Sequence, residues 1–216
     1  SLSSIQFGTY DVTLSLASGT VTASNVSLGA VNPGGPFTTF DVAGGAAMTL
    51  QNVGEAAAGE GFTKTGDGLL TLNTANTYTG PTTVSEGTLS IANGNALGST
   101  ATVENGASLR LTGGGNFGIG TPLTINGGGD ALSDGALHSQ GNNHDINGLI
   151  TLGSNATIRT DGGGDLEIRG GINTAGNQIR FESANTTRVI GGGSTITGTG
   201  SVLKEENGVL EFRNDN

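Results

Sequence analysis

The sequence predicts an all-β fold, a single-stranded parallel β-helix of about ten coils. Three observations carry that expectation. Gly, Thr, Asn and Ser together make up half of the 216 residues, while aromatics reach only 4% and charged residues 12%, too few large side chains for one thick core. Through this polar background runs a recurrent triplet of apolar, polar and apolar residues, the period-two signature of a strand with one buried face. Nearly every 11-residue window contains Gly or Thr, and no apolar stripe at i, i+3, i+4, i+7 survives, which removes the helical alternative.

The triplets come in order along the chain. Val26-Ser27-Leu28, Met48-Thr49-Leu50, Leu70-Thr71-Leu72, Leu89-Ser90-Ile91 and Leu109-Arg110-Leu111 start 22, 22, 19 and 20 residues apart. Leu123-Thr124-Ile125, Ile150-Thr151-Leu152, Leu166-Glu167-Ile168, Ile179-Arg180-Phe181 and Leu210-Glu211-Phe212 follow at looser intervals. A strand with two inward residues does not fold alone. Taken as one coil each, the ten units stack at ~4.8 Å into continuous aliphatic ladders and a rod of roughly 50 Å. Phe181 and Phe212 occupy ladder positions and are expected to be buried, and Tyr10, Tyr78 and the other Phe residues read as core plugs or loop anchors.

Glycine marks the bends. Gly68, Gly87, Gly106 and Gly208 each precede an apolar pair, where positive φ would redirect the chain. The runs Gly113-Gly114-Gly115, Gly127-Gly128-Gly129, Gly162-Gly163-Gly164 and Gly191-Gly192-Gly193 read as loops. Pro33, Pro36, Pro81 and Pro122 fall in turns or at strand starts. Glu55-Ala56-Ala57-Ala58-Gly59-Glu60 is the single helix-tolerant stretch and is too short to be a domain. A longer echo aligns residues 62–72 with 202–212 at an offset of 140, pairing Lys64 with Lys204, Gly68 with Gly208, Leu70 with Leu210 and Asn76 with Asn216. The expected organisation is one continuous solenoid: N-terminal coils 1–61, a repeat unit 62–112, central coils 113–201 and the start of a second, truncated unit 202–216. Beginning at Ser1 without a start methionine or signal peptide, the chain reads as an excerpt of a longer polypeptide.

Composition also excludes functions. A formal charge of -10 with eight dispersed Lys and Arg residues argues against nucleic acid or an anionic membrane as partner. No apolar run approaches the roughly 18 residues of a membrane-spanning helix. Without cysteine there are no disulfides, thiolate nucleophiles or zinc-thiolate sites, a composition that suits a chain exported unfolded.

Residues 62–111 carry Lys64, Gly66, Gly68 and Leu70, then Asn76-Thr77-Tyr78-Thr79-Gly80 with Thr82-Thr83-Val84, then Gly87-Thr88-Leu89 and Ala96-Leu97-Gly98. In that order the segment resembles the autotransporter-associated β-strand repeat of bacterial passenger domains, with Pro81 where a second Gly is common. Weaker likeness extends over 132–172 and 202–216, and residues 1–61 show no family motif. The resemblance implies a right-handed parallel β-helix, in agreement with the rule for parallel crossovers. It also implies a secreted or surface-displayed location and a stalk role in passage and folding outside the cell.

Candidate chemistry is sparse. His138 and His144 with Asp134 and Asp145 suit a divalent metal, but both His fall in a polar Gly/Asn stretch without a third fixed ligand, so solvated loop residues are the expected reading. Gly127-Gly128-Gly129-Asp130 and Gly162-Gly163-Gly164-Asp165 resemble calcium-binding β-roll turns, yet they are not tandem. Asp161, Asp165 and Glu167 present carboxylates on one stretch, as in polysaccharide-cleaving β-helices, with a solvated acidic patch as the ordinary reading. No phosphate loop or nucleophile elbow occurs. No catalytic residue, metal ligand or cofactor is therefore assigned. The expected function is a structural stalk of a secreted or surface-displayed protein rather than an enzyme, with a glycan- or matrix-binding adhesin and a polysaccharide-active enzyme as rivals. Exposed solenoid ends are expected to favour end-to-end self-association.

Overall fold

Side chains that alternate along short, β-branched strands bury themselves only by stacking strand upon strand, and that is the architecture of the computed structural model. It describes residues 1–8, 12–29, 38–113, 115–132, 134–190 and 196–213. Tyr10, Pro33, Pro36, Phe37, Gly114, Gly191, Gly192, Gly193 and Asn216 lie outside the described residues. Among the described residues there is no helix, and every strand pair is parallel.

Each coil crosses up to three faces. Face 1 stacks Thr13–Leu16, Thr38–Val42, Phe62–Thr65, Thr82–Val84, Ala101–Val103, Leu123–Gly127, the first part of Ile150–Asp161, Ile172–Asn173 and Ile196–Thr197. Face 2 stacks Thr20–Ser24, Ala47–Gln51, Leu69–Leu72, Gly87–Ile91, Ala107–Leu111, Leu137–Gln140, the end of Ile150–Asp161, Gln178–Ser183 and Ser201–Glu205. Strand Ile150–Asp161 rounds the corner between them and unites both faces in one 17-stranded sheet. Face 3 is divided into a 3-stranded sheet of Ile5–Gln6, Val26–Leu28 and Gly54–Glu55 and a 5-stranded sheet of Phe117–Ile119, His144–Ile146, Leu166–Ile168, Thr186–Ile190 and Val209–Arg213. Between the two, residues 73–81 and 92–100 close their coils without a strand.

Nine described strands on one face make about eight turns, or roughly 40 Å of rise, against the ten coils expected. All ten triplets lie in strands, but Ile150-Thr151-Leu152 and Leu166-Glu167-Ile168 belong to one turn, on faces 1 and 3. The 140-residue echo also changes place. Residues 62–72 round the corner from face 1 to face 2, whereas 202–212 round the corner from face 2 to face 3. What repeats is a corner, shifted by one face.

The core is a set of vertical ladders. Met48, Leu70, Leu89, Leu109, Leu137, Ile158 and Phe181 stack in register on face 2 and are all buried. The neighbouring ladder begins with Leu50, Leu72, Ile91 and Leu111, then continues as Ser139, Thr160 and Ser183. The expected continuous aliphatic ladder therefore becomes a buried hydroxyl seam. It stays satisfied because Thr187 meets Thr160 and Ser183 at 2.9 Å each, and Ser139 meets His144 at 2.9 Å. Near the other end, Phe7, Phe40, Phe62 and Tyr78 stack with ring centroids 5.7, 5.3 and 5.5 Å apart.

Two further expectations are corrected. Phe181 is buried, but Phe212 is 61% exposed, because Val189 covers it from one coil and no described coil lies on its other side. Gly87 and Gly106 have positive φ, at 62° and 86°, whereas Gly68 and Gly208 do not; they are glycine because a Cβ would come within 2.2 Å of Ala43 O and 2.1 Å of Ser183 O.

Leu89→Asp or Leu109→Asp places a charge inside the ladder with no partner, at a cost of roughly 4 kcal/mol or more. Both variants are expected to lose the β-type far-UV spectrum or its cooperative melt. Wild-type melting of either would contradict the stacked-ladder core.

Candidate functional site

The two histidines are not solvated loop residues. His138 sits in strand Leu137–Gln140 and His144 opens strand His144–Ile146, at 4% and 0% exposure. His144 points into the hydroxyl seam, its ring tilted against Phe117 at 4.5 Å, and its Nε2 is buried without a partner. Burial pulls its pKa down to about 4, so it is neutral in the fold. His138 faces out between Arg110 and Arg159 in register. Its Nε2 lies 3.1 Å from Asp161 Oδ2 without hydrogen-bond alignment, and burial lowers its pKa against the pull of Asp161. The Ser139–His144 pair is enclosed in the core, where no substrate reaches it. Among the described residues no three His, Cys, Asp or Glu side chains are grouped to hold a metal ion.

The Gly-Asp turns serve other ends. Asp130 accepts Thr88 Oγ1 at 2.5 Å and the Leu132 amide at 3.1 Å, and Ser108 Oγ donates to Gly135 O. These bonds hold Asp130 and Gly135 against face 2 and explain why Thr88 and Ser108 are buried. Asp165 lies at the corner into face 3 and binds Arg188 at 2.7 Å.

The three carboxylates grouped in the sequence part company. Asp161 belongs to face 2 beside Arg159, at 3.2 Å. Asp165 and Glu167 belong to face 3, where Glu167 stands in register between Asp145 and Arg188. The sequence reading missed Asp145 as their neighbour. One coil of spacing, 22 residues, was the available signal.

Residues 62–91 carry several side-chain bonds that join one coil to another. Lys64 occupies an interior ladder of face 1, between Phe40 and Val84, and is fully buried. Its Nζ donates to Thr65 O at 2.9 Å, Gly66 O at 2.5 Å and Glu86 O of the next coil at 3.1 Å. Lys204 repeats the pattern at its own corner, donating to Glu205 O and to Glu206 O at 3.1 Å. Asn76 ties three coils together: Oδ1 accepts the Val53 amide and Nδ2 donates to Ala96 O, both at 2.8 Å. Tyr78 Oη meets Thr82 Oγ1 at 2.7 Å and donates to Ala96 O at 3.2 Å. Thr79 is fastened by Glu55, which accepts its amide at 2.9 Å and its hydroxyl at 2.7 Å. After Glu55, which ends a face-3 strand, the helix-tolerant stretch is a turn, with Glu60 accepting the Ala56 and Ala57 amides at 3.0 and 3.2 Å.

Compared with known families, residues 62–91 match the family model described as passenger-associated-transport-repeat. The match covers 30 of the 216 residues. No curated protein and no solved structure matches the chain. The matched stretch ends at Ile91, so Ala96-Leu97-Gly98 of the resemblance lies beyond it. Within the matched stretch the marker residues are structural: Lys64 closes a corner, Gly87 turns the corner of the next coil, Leu70 and Leu89 fill a ladder, and Asn76 and Tyr78 add side-chain bonds where face 3 has no strand.

These burials set the pH response. Burial pulls Lys64 down to about 8, outweighing the carboxylates of Asp130, Asp41, Glu86 and Asp67. From there up to its ordinary value of 10.5 the unfolded chain holds the proton that the fold has released, so stability rises with pH. Tyr78, pushed up to about 12 by burial, acts oppositely above pH 10. Denaturant midpoints are expected to climb between about pH 8 and pH 10 in the wild type and to lose that climb in Lys64→Met.

His144 works at the acid side. Between its ordinary 6.5 and about 4 the unfolded chain gains a proton that the fold refuses, so stability falls as pH drops through that window. In His144→Leu this loss is expected to shrink, leaving the contributions of His138 and of the carboxylates of Glu55, Asp161 and Glu211 that the fold holds below their ordinary values, as read from urea titrations at pH 7, 5.5 and 4.5. An unchanged slope would place the acid sensitivity elsewhere.

Proposed function

We propose that this segment is a structural stalk of a secreted or surface-displayed bacterial protein, one that supports the passage of the chain and its folding outside the cell. The observation that carries the reading is the use made of the transport repeat. Lys64, Asn76, Tyr78 and Gly87 all contact neighbouring coils, and none offers a reactive group to solvent. Each coil presents its successor with open strand edges and corner carbonyls, so folding proceeds by templating from one coil to the next. Such growth needs no thiol chemistry, and the chain has no cysteine.

The test is surface display of this chain behind an export leader and ahead of a β-barrel translocator, scored by antibody binding on intact cells and by protease resistance. Wild type is expected to appear as a protease-resistant segment. Lys64→Met and Leu89→Asp are expected to lower resistance in the order of their instability, Leu89→Asp the more. Equal display and resistance in all three would count against a role in folding during export.

A further inference from the structure

On face 3 the outward positions of five successive coils are Gly118, Asp145, Glu167, Arg188 and Glu211. Beside them, at the corner leading into the face, runs a second row of Asn116, Asn143 and Asp165. Each side-chain oxygen of that row accepts the backbone amide of the next coil: Asn116 from Asn143 at 3.1 Å, Asn143 from Asp165 at 2.9 Å and Asp165 from Thr186 at 3.2 Å. The polar groups are therefore fixed by the solenoid itself. Between the rows lies a cavity of about 430 Å³, within the range of about 300–1,000 Å³ typical of small-molecule sites. Its end is open because Gly118 has no side chain; a Cβ there would stand 2.7 Å from Asn147 Nδ2 and 3.3 Å from Asp145 Cβ.

The lining selects a ligand class. Arg188 is already held by Asp165 at 2.7 Å, Glu211 at 3.2 Å and Glu167 at 3.5 Å, and Glu167 also pairs with Arg169. An anionic ligand would meet three carboxylates and cations already neutralised. A metal ion lacks a grouped ligand set among the described residues. Asp145 is the least engaged acid, 41% exposed, with the Arg169 Nε at 3.7 Å. The Nδ2 groups of Asn116 and Asn143 supply donors beside it. Amide donors beside carboxylate acceptors, all lining one groove, suit a ligand whose every hydroxyl both donates and accepts.

We propose that this groove is a binding site for a neutral oligosaccharide lying along the shaft, with Asp145 as its principal hydrogen-bond acceptor and the Asn116–Asn143 row as its donors. The inference is independent of the stalk reading, which stands whether or not the groove binds sugar. A glycan array of neutral hexose and N-acetylhexosamine oligosaccharides, with oligouronates as the charged comparison, tests it on the intact chain. The best neutral hit is then titrated by calorimetry. Asp145→Ala is expected to weaken binding about tenfold or more, the loss of a charge-assisted hydrogen bond, and Gly118→Ala to weaken it by filling the open end. Glu205→Ala on face 2 is expected to bind as wild type, with melting curves confirming that all three variants fold. Absence of any neutral hit, preference for oligouronates, or binding unchanged in both groove variants would overturn the proposal.

Discussion

In a parallel solenoid each corner sits one strand spacing, about 4.8 Å, from the corner before it, and that proximity governs which residues a corner accepts. Backbone carbonyls from successive turns converge there with no room for side chains between them. Where Gly68 passes Ala43 and Gly208 passes Ser183, a single added carbon collides. Where carbonyls cluster without a donor, the chain supplies one from within: the ammonium of Lys64 collects three of them from two coils. A charge is tolerable in an apolar ladder because its stem packs as a hydrocarbon while its head satisfies groups that would otherwise be buried unpaired.

The thinness of the core follows from the same geometry. Two or three inward residues per strand leave little width, so cohesion runs vertically through ladders and aromatic stacks rather than across a broad interior. The hydroxyl seam of Ser139, Thr160, Ser183 and Thr187 shows that the interior need not be wholly apolar, provided that each hydroxyl meets another polar group. His144 is the member that does not balance, with one ring nitrogen bonded and the other enclosed and unpaired.

The period-two triplets were legible because alternation is written directly in the sequence, and all ten became strands. The number of coils was less so, since a triplet does not announce which face it occupies: Ile150 to Leu152 and Leu166 to Ile168 read as two coils and are one. Polar strands were hidden for a related reason. Leu137-His138-Ser139-Gln140 lacks a second apolar residue, and only its register above Leu109 and Arg110 reveals it as strand. The face-3 groove was invisible as a unit because Asp145, Glu167 and Arg188 are neighbours only once coil length is known. Lys64 and Lys204 aligned correctly in sequence, yet the equivalence holds for a corner and not for an address on the shaft.

The divided third face has a mechanical meaning. Faces 1 and 2 carry an unbroken series of backbone hydrogen bonds along the axis, whereas face 3 is interrupted over the two coils closed by residues 73–81 and 92–100. There the axial connection on that side is made by isolated backbone bonds, Thr77 N to Val53 O at 2.8 Å and Asn76 N to Asn95 O at 2.9 Å among them, together with the side chains of Asn76 and Tyr78. A shaft built this way resists bending unequally: two sides carry a strand ladder through their described coils, whereas the third has fewer axial bonds where residues 73–81 and 92–100 close the turn, so flexure under lateral load concentrates at that height.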